Sequence, residues 1–85
     1  EVLESFLKRV EGLEKIALSH HGVKNAYAIA AGKEIRIIVN ASLINDDESV
    51  LVAKEIAKEI EDGIQYPGEI KISVIRETRV TEFAR

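Results

Sequence analysis

Few residues of this sequence have the types and spacing that chemistry at a protein site requires. The two histidines, His20 and His21, are adjacent, and Ser19 precedes them. Neighbours on a helix point about 100° apart, so this group is a poor nucleophile-and-base pair and a poor chelator of one ion. Acid–base catalysis needs titratable groups that converge in a pocket. We therefore interpret the histidines as helix-end or surface residues and expect no catalytic residue in this chain.

An acidic cluster, Asp46-Asp47-Glu48, follows Asn45 and has side chains that bind Ca²⁺ or Mg²⁺ elsewhere. The pattern of an EF-hand loop, with its central glycine and closing glutamate, is absent. Asn45 or Asp46 is instead a suitable helix N-cap, and acidic residues suit the positive end of a helix dipole. The chain has no cysteine, which removes disulfides and Cys-based zinc sites. We expect no metal site and no cofactor in this chain.

Four basic residues are the candidates for RNA contact: Arg36, Lys71, Arg76 and Arg79. They can line one side of a sheet and its exit, although ion pairing of the last two with Glu77 or Glu82 is the interpretation that we prefer. The net charge of −3 argues against strong autonomous binding of nucleic acid, because domains that bind phosphates usually carry a basic surplus. The sequence also lacks the base-stacking aromatic pair of an RRM, the GxxG loop of a KH domain and a phosphate-binding glycine loop.

The elements that would position these side chains follow the order helix, strand, strand, helix, strand. Apolar residues recur at spacings of three and four over residues 2–20, which predicts a first helix. Residues 23–31 and 34–40 predict a β-hairpin, with the two residues between them as its turn. A second helix is predicted from Asp47 to Asp62 and a third strand from Glu69 to Arg76.

This order predicts one α+β domain over residues 1–85, a helix-strand-strand-helix-strand open sandwich. A helix that connects two strands of one sheet makes them parallel, so we expect a mixed three-stranded sheet. Both helices would cover one face, in a layout related to the ferredoxin-like fold. Residues 77–85 would either lie back on the domain or add a short fourth strand.

The uncovered sheet face is the predicted interface. It should carry Ile38 and Ile75, with Ala26 and Ala28 beside them. Such a face is too apolar to be plainly solvated, and apolar patches often mark contacts with other molecules. The alternative is that the C-terminal residues of the chain itself cover this face.

Three segments resemble the C-terminal end of ribonuclease Y, a bacterial endoribonuclease with KH and HD domains. They are residues 27–39, then residues 53–58, and finally residues 66–71 running into residues 74–79. The ending Phe83-Ala84-Arg85 also resembles the last residues of this family. The chain has no methionine and opens inside a helical pattern, so we expect it to be a piece of a longer protein.

The resemblance implies a C-terminal accessory module. The parent would have an N-terminal membrane anchor, a coiled coil, a KH domain and an HD domain that carries the catalytic residues and a divalent metal. It would initiate mRNA decay in the cytoplasm, at the inner face of the bacterial membrane, with RNA as substrate. No HD motif falls in this chain, so no catalytic or metal residue is carried over. The expected role is oligomerisation, or docking to the HD domain or to other RNA-decay proteins, without membrane contact.

Two other roles stay open from the sequence. One is an auxiliary RNA-contacting surface formed by the basic residues named above. The other is a metal-responsive dimerisation module like the cytoplasmic domains of cation diffusion facilitators, which share this order of elements. That role would use His20 or His21, but the sequence lacks a spread set of His and Asp ligands to accompany them.

Overall fold

The computed structural model describes residues 3–85, which form two α-helices and one three-stranded sheet. In chain order the elements are α1 (Leu3–Leu18), β1 (Val23–Ile29), β2 (Glu34–Asn40), α2 (Asp46–Gly63) and β3 (Lys71–Glu77). β1 pairs antiparallel with β2, and β2 pairs parallel with β3, so β2 is the central strand. The predicted order and the mixed sheet are therefore confirmed. Val2, which we included in the first helix, lies outside the described residues.

The hydrophobic core lies between the helices and the inner face of the sheet. Alternate residues of β2 supply its centre, because Ile35, Ile37 and Val39 point to the same side and are fully buried. The helices contribute the other apolar side chains that are essentially fully buried: Leu13, Ala17, Ile56 and Ile60. The clean alternation of β2 explains why this strand could be placed correctly from the sequence.

The first helix packs differently at its two ends. Leu13 and Ala17 in its C-terminal half are fully buried, whereas Leu3 is 70% exposed and Leu7 is 48% exposed, so the predicted apolar stripe is only partly used. Gly12 lies against Ile64, the residue that follows α2. A Cβ built on Gly12 would lie 3.1 Å from Cδ1 of Ile64. Glycine at this position therefore allows a close approach between the two helical segments.

The second helix begins with a capping box. The Oδ1 atom of Asn45 accepts a hydrogen bond from the Glu48 N–H at 2.8 Å, and Oε1 of Glu48 accepts one from the Asn45 N–H at 2.9 Å. Asn45, not Asp46, is thus the N-cap residue. In the part of the chain that the structure describes, neither helix combines the length and the apolar character that crossing a membrane requires.

The hairpin connection is longer than the predicted two-residue turn. β1 ends at Ile29, which lies opposite Glu34, so the connection runs from Ala30 to Lys33. The φ angles of Ala30, Ala31 and Gly32 are 52°, 57° and 78°. Glycine adopts this left-handed region freely, whereas an L-residue with a Cβ is disfavoured there by about 1–2 kcal/mol. The two alanines are therefore strained, and the first strand is two residues shorter than expected.

The predicted position of Ala26 and Ala28 on the outer sheet face is wrong. Ala26 lies opposite Ile37, and Ala28 lies opposite Ile35. Directly opposed residues share a face of the sheet, so both alanines point toward the helices. The Ala28 N–H also donates a hydrogen bond to Oε2 of Glu14 on α1 at 3.1 Å. Small side chains are found here because α1 lies close to β1.

The C-terminal residues 78–85 take neither of the two arrangements that we expected. They form no strand, they are exposed, and Val80 and Phe83 are 85% and 73% exposed. The radius of gyration is 14.4 Å, whereas a compact domain of this length has a value of about 12 Å. This segment, hereafter the tail, therefore projects from the domain and leaves the outer sheet face uncovered.

Candidate interaction surface on the outer sheet face

The outer face is the sheet surface opposite the helices, and all three strands contribute to it. Its members are Asn25, Tyr27, Ile29, Glu34, Arg36, Ile38, Lys71, Ser73 and Ile75. Ile38 lies directly opposite Ile75, so two of the predicted interface residues are brought together. Ile75 is 42% exposed and Tyr27 is 50% exposed, while Ile38 is half-buried between neighbours. Apolar groups at the middle of this face are thus in contact with water.

Charged side chains of the outer face contact one another beside the apolar residues. Oε2 of Glu34 accepts a hydrogen bond from Oγ of Ser73 at 3.3 Å and lies 3.5 Å from Nη2 of Arg36. Lys71 lies opposite Glu34 in the register. The Arg36 side chain remains 47% exposed. An apolar centre with a polar border is the usual composition of a protein–protein contact surface.

Arg76 does not belong to this surface, so our placement of four basic residues along one side of the sheet is wrong. Arg76 lies opposite the buried Val39 and therefore points to the inner side. Its guanidinium donates to the carbonyl of Ile44 at 2.8 Å, to Oδ1 of Asp46 at 2.8 Å and to the carbonyl of Ala41 at 3.1 Å. These bonds connect β3 to the segment between β2 and α2 and to the first residue of α2. The preferred pairing of Arg76 with a neighbouring glutamate is also wrong.

Arg79 does pair as we preferred, because its Nη2 atom donates to Oε1 of Glu77 at 3.1 Å. Lys24 on β1 donates to the same oxygen. The Lys24 hydrogen bond is the main cause that lowers the pKa of Glu77, the nearby Arg79 charge adds to the effect, and desolvation opposes it. These groups border a depression of about 350 Å³ at the end of the sheet. The cluster links the two outer strands across the end of β2.

His20 contacts the second helix. Its Nε2 atom lies 3.1 Å from Oε1 of Glu59, and its Nδ1 atom lies 3.7 Å from Oε2 of Glu55, while the side chain is 13% exposed. The i, i+4 spacing of the two glutamates places them on one side of α2, where both can reach the imidazole. His21 is exposed. Among residues 3–85, no group of three or more His, Cys, Asp or Glu side chains is arranged to hold a metal ion.

The chain is similar along its whole length to curated ribonuclease Y proteins. It is 73% identical to those of Sulfurimonas denitrificans and Campylobacter curvus and 69% identical to that of Nitratiruptor sp.. The aligned region is 100% of this chain but 16% of each relative. No family model and no solved structure matches it. The chain is therefore homologous, over its whole length, to a segment of ribonuclease Y proteins that has the length of one domain.

Proposed function

We propose that this chain is a non-catalytic, self-associating module of a ribonuclease Y-like endoribonuclease that initiates mRNA decay. The name of its relatives supports the parent activity and RNA as the substrate of the parent. The observation that supports self-association is the direct pairing of Ile38 with Ile75 on a face that the other residues described by the structure leave uncovered.

The physical argument is the cost of leaving this face in water. Burying apolar surface contributes roughly 25 cal/mol per Å². Tyr27 lies opposite Arg36 next to the two isoleucines, and tyrosine and arginine are enriched at the centres of protein interfaces. A second copy of the chain offers the same residues, which suits a symmetric contact.

The arrangement of the polar side chains supports a non-catalytic role. Oγ of Ser19 donates to the carbonyl of Ile16 at 2.7 Å, and His20 is turned toward the glutamates of α2. The only candidate nucleophile–base pair of the sequence is thus engaged in structural contacts. In this proposal the catalytic residues and the divalent metal belong to the remainder of the parent protein. The module would bring two copies of the parent together.

Light scattering after size exclusion, over a concentration series, tests this proposal. We expect a dimer whose fraction rises with concentration and which Ile38→Asp or Ile75→Asp converts to monomer. The matched control is Leu51→Asp, because Leu51 is an apolar residue of α2 that is 58% exposed away from the sheet. Thermal melts by circular dichroism show whether each variant is folded. A wild-type chain that stays monomeric at every concentration refutes self-association.

The same measurement with single-stranded RNA tests a second candidate function. Its supporting observation is that Tyr27, Arg36 and Lys71 share the outer face. Binding through phosphates would raise the mass at low salt and weaken as salt is added. Arg36→Ala and Lys71→Ala would reduce it, whereas Lys58→Ala on the far side of α2 would not. An unchanged mass with RNA would refute this candidate for the chain alone.

A further inference from the structure

The two edges of the sheet differ in how their backbone groups are protected. At β1, Glu14 accepts the hydrogen bond of the Ala28 N–H, and the register shifts between Val23 and Asn25. Side-chain cover and bulges of this kind keep an edge strand from pairing with other chains. β3 has a regular register over its whole length, with neither bulge nor proline. No strand of the described residues lies beyond it.

The backbone groups at the free edge of β3 can be identified from its pairing with β2. The Lys71 N–H donates to the Lys33 carbonyl, and the Glu77 carbonyl accepts from the Ala41 N–H. Residues 71, 73, 75 and 77 therefore direct their N–H and C=O groups toward β2. Because successive residues of a strand alternate, Ile72, Val74 and Arg76 direct theirs toward the free edge.

The tail follows β3 directly, and its backbone can lengthen the free edge of that strand. Residues 78–85 contain no helix or turn and no residue with positive φ. In an extended tail, the same alternation directs the backbone groups of residues 78, 80, 82 and 84 to the free side. Residues 72–84 then present one long edge, with Val80 and Phe83 exposed beside it.

We propose that a second copy of this chain pairs antiparallel with this edge, so that Arg79 of one copy lies opposite Arg79 of the other on a two-fold axis. The proposal rests on the self-association proposed above and names its geometry. With this register, Glu82 lies opposite the other copy's Arg76, Phe83 opposite its Ile75, and Ala84 opposite its Val74. The contact is self-complementary, as a two-fold interface requires.

Charge and apolar complementarity favour this register. Opposed residues of antiparallel strands lie close enough for their side chains to interact. Glu82 would meet the guanidinium of Arg76, and Phe83, which is 73% exposed, would cover Ile75, which is 42% exposed. Each Arg79 side chain would lie diagonal to the other copy's Glu77. It would also keep the 3.1 Å hydrogen bond to Glu77 of its own chain. The directly opposed Arg79 pair is of like charge, which is unfavourable, and the two flanking Glu77 carboxylates offset this repulsion.

The absence of cysteine in the sequence allows a direct test with single-cysteine variants. Residue 79 would form a non-hydrogen-bonded pair with its copy, for which the Cα–Cα distance is about 4.5 Å and within the range of a disulfide. Residue 81 and its copy would be displaced by four residues, about 13 Å. Arg79→Cys should therefore form a disulfide-linked dimer on mild oxidation at least about tenfold faster than Thr81→Cys. Lys58→Cys, on the solvated side of α2, is the control for random collision.

A chain that ends after Glu77 provides the second measurement. It should be monomeric at concentrations at which the full chain is dimeric, with an intact core by circular dichroism. Equal disulfide formation at positions 79 and 81, or a truncated chain that remains dimeric, overturns the edge pairing but leaves self-association through the outer face intact. A full chain that is monomeric at every concentration overturns both proposals.

Discussion

Replacing Arg76 by alanine should lower the free energy of unfolding by about 2 kcal/mol, because its guanidinium connects β3 to the segment before α2. Hydrogen bonds of a charged donor contribute about 1.5–3 kcal/mol when they are shielded from water. The Arg76 side chain is 34% exposed, so water screens its bonds to the carbonyls of Ile44 and Ala41. We therefore assign these bonds less free energy than fully shielded ones. The third acceptor, the Asp46 side chain, is 88% exposed and adds at most about 0.5 kcal/mol.

Urea unfolding followed by circular dichroism measures this loss, and thermal melts provide a second readout. For a domain of this size, about 2 kcal/mol corresponds to a fall in Tm of about 8–16 °C. Arg76→Lys should recover little, because one ammonium group lacks the fork geometry that reaches three acceptors. Arg36→Ala is the matched control and should change stability by less than about 0.5 kcal/mol, since its one contact is long and its side chain is 47% exposed.

The reasoning would be refuted if Arg76→Ala were as stable as Arg36→Ala, with an unchanged dependence on urea. Such a result would mean that the three hydrogen bonds of Arg76 contribute no stability. Arg76 would then again be a candidate for RNA contact. A large loss in Asp46→Ala would instead show that the ion pair, not the two carbonyl bonds, supplies the stabilisation.

Two further predictions concern the cap of α2 and the acidic group at the end of the sheet. Asn45→Ala should cost about 1 kcal/mol in a urea melt, because it removes the Oδ1 atom that accepts the Glu48 N–H, while the backbone N–H of residue 45 can still donate to Glu48. Asn45→Asp should be nearly neutral, and an equal loss in Asp47→Ala would contradict this. The pKa of Glu77 is lowered in the folded state, so its stabilising contribution is present above the ordinary carboxyl pKa and is lost as the pH falls through the folded value. Tm measured from pH 7 to about 3 should therefore fall more steeply for wild type than for Glu77→Gln, and parallel profiles would rule this out.

The sequence was sufficient for the elements that carry a strong local signal. β2 alternates large apolar residues with polar ones, and α2 has an acidic start and an apolar stripe, so both could be placed within a residue or two. β1 lacks such a signal. Ala26 and Ala28, not the larger Tyr27 and Ile29, face the helices, because the distance between α1 and β1 decides which side chains fit between them. That distance is a property of the assembled fold.

The candidate site shows a similar division. Strand alternation was sufficient to predict that Ile38 and Ile75 share the outer face, but their direct pairing depends on the register between β2 and β3. The partners of Arg76 could not, because two of them are backbone carbonyls that any residue offers. The contacts of His20 with Glu55 and Glu59 join segments far apart in sequence. From the sequence alone, a charged side of a helix is expected to face solvent. Only the three-dimensional structure shows that His20 lies against it.

The two partners of the central strand reach it over very different lengths of chain. β1 is joined to β2 by Ala30–Lys33 alone, whereas β3 must bring Lys71 opposite Glu34 after the whole of α2 has intervened. Closing the longer loop costs more entropy, and long-range parallel pairing is slow. We therefore expect β3 to be the last strand to join during folding, so that β2 keeps one unpaired edge until then. Concentrated refolding would favour molecules that exchange their α2–β3 segments, and dilute refolding would favour the closed domain.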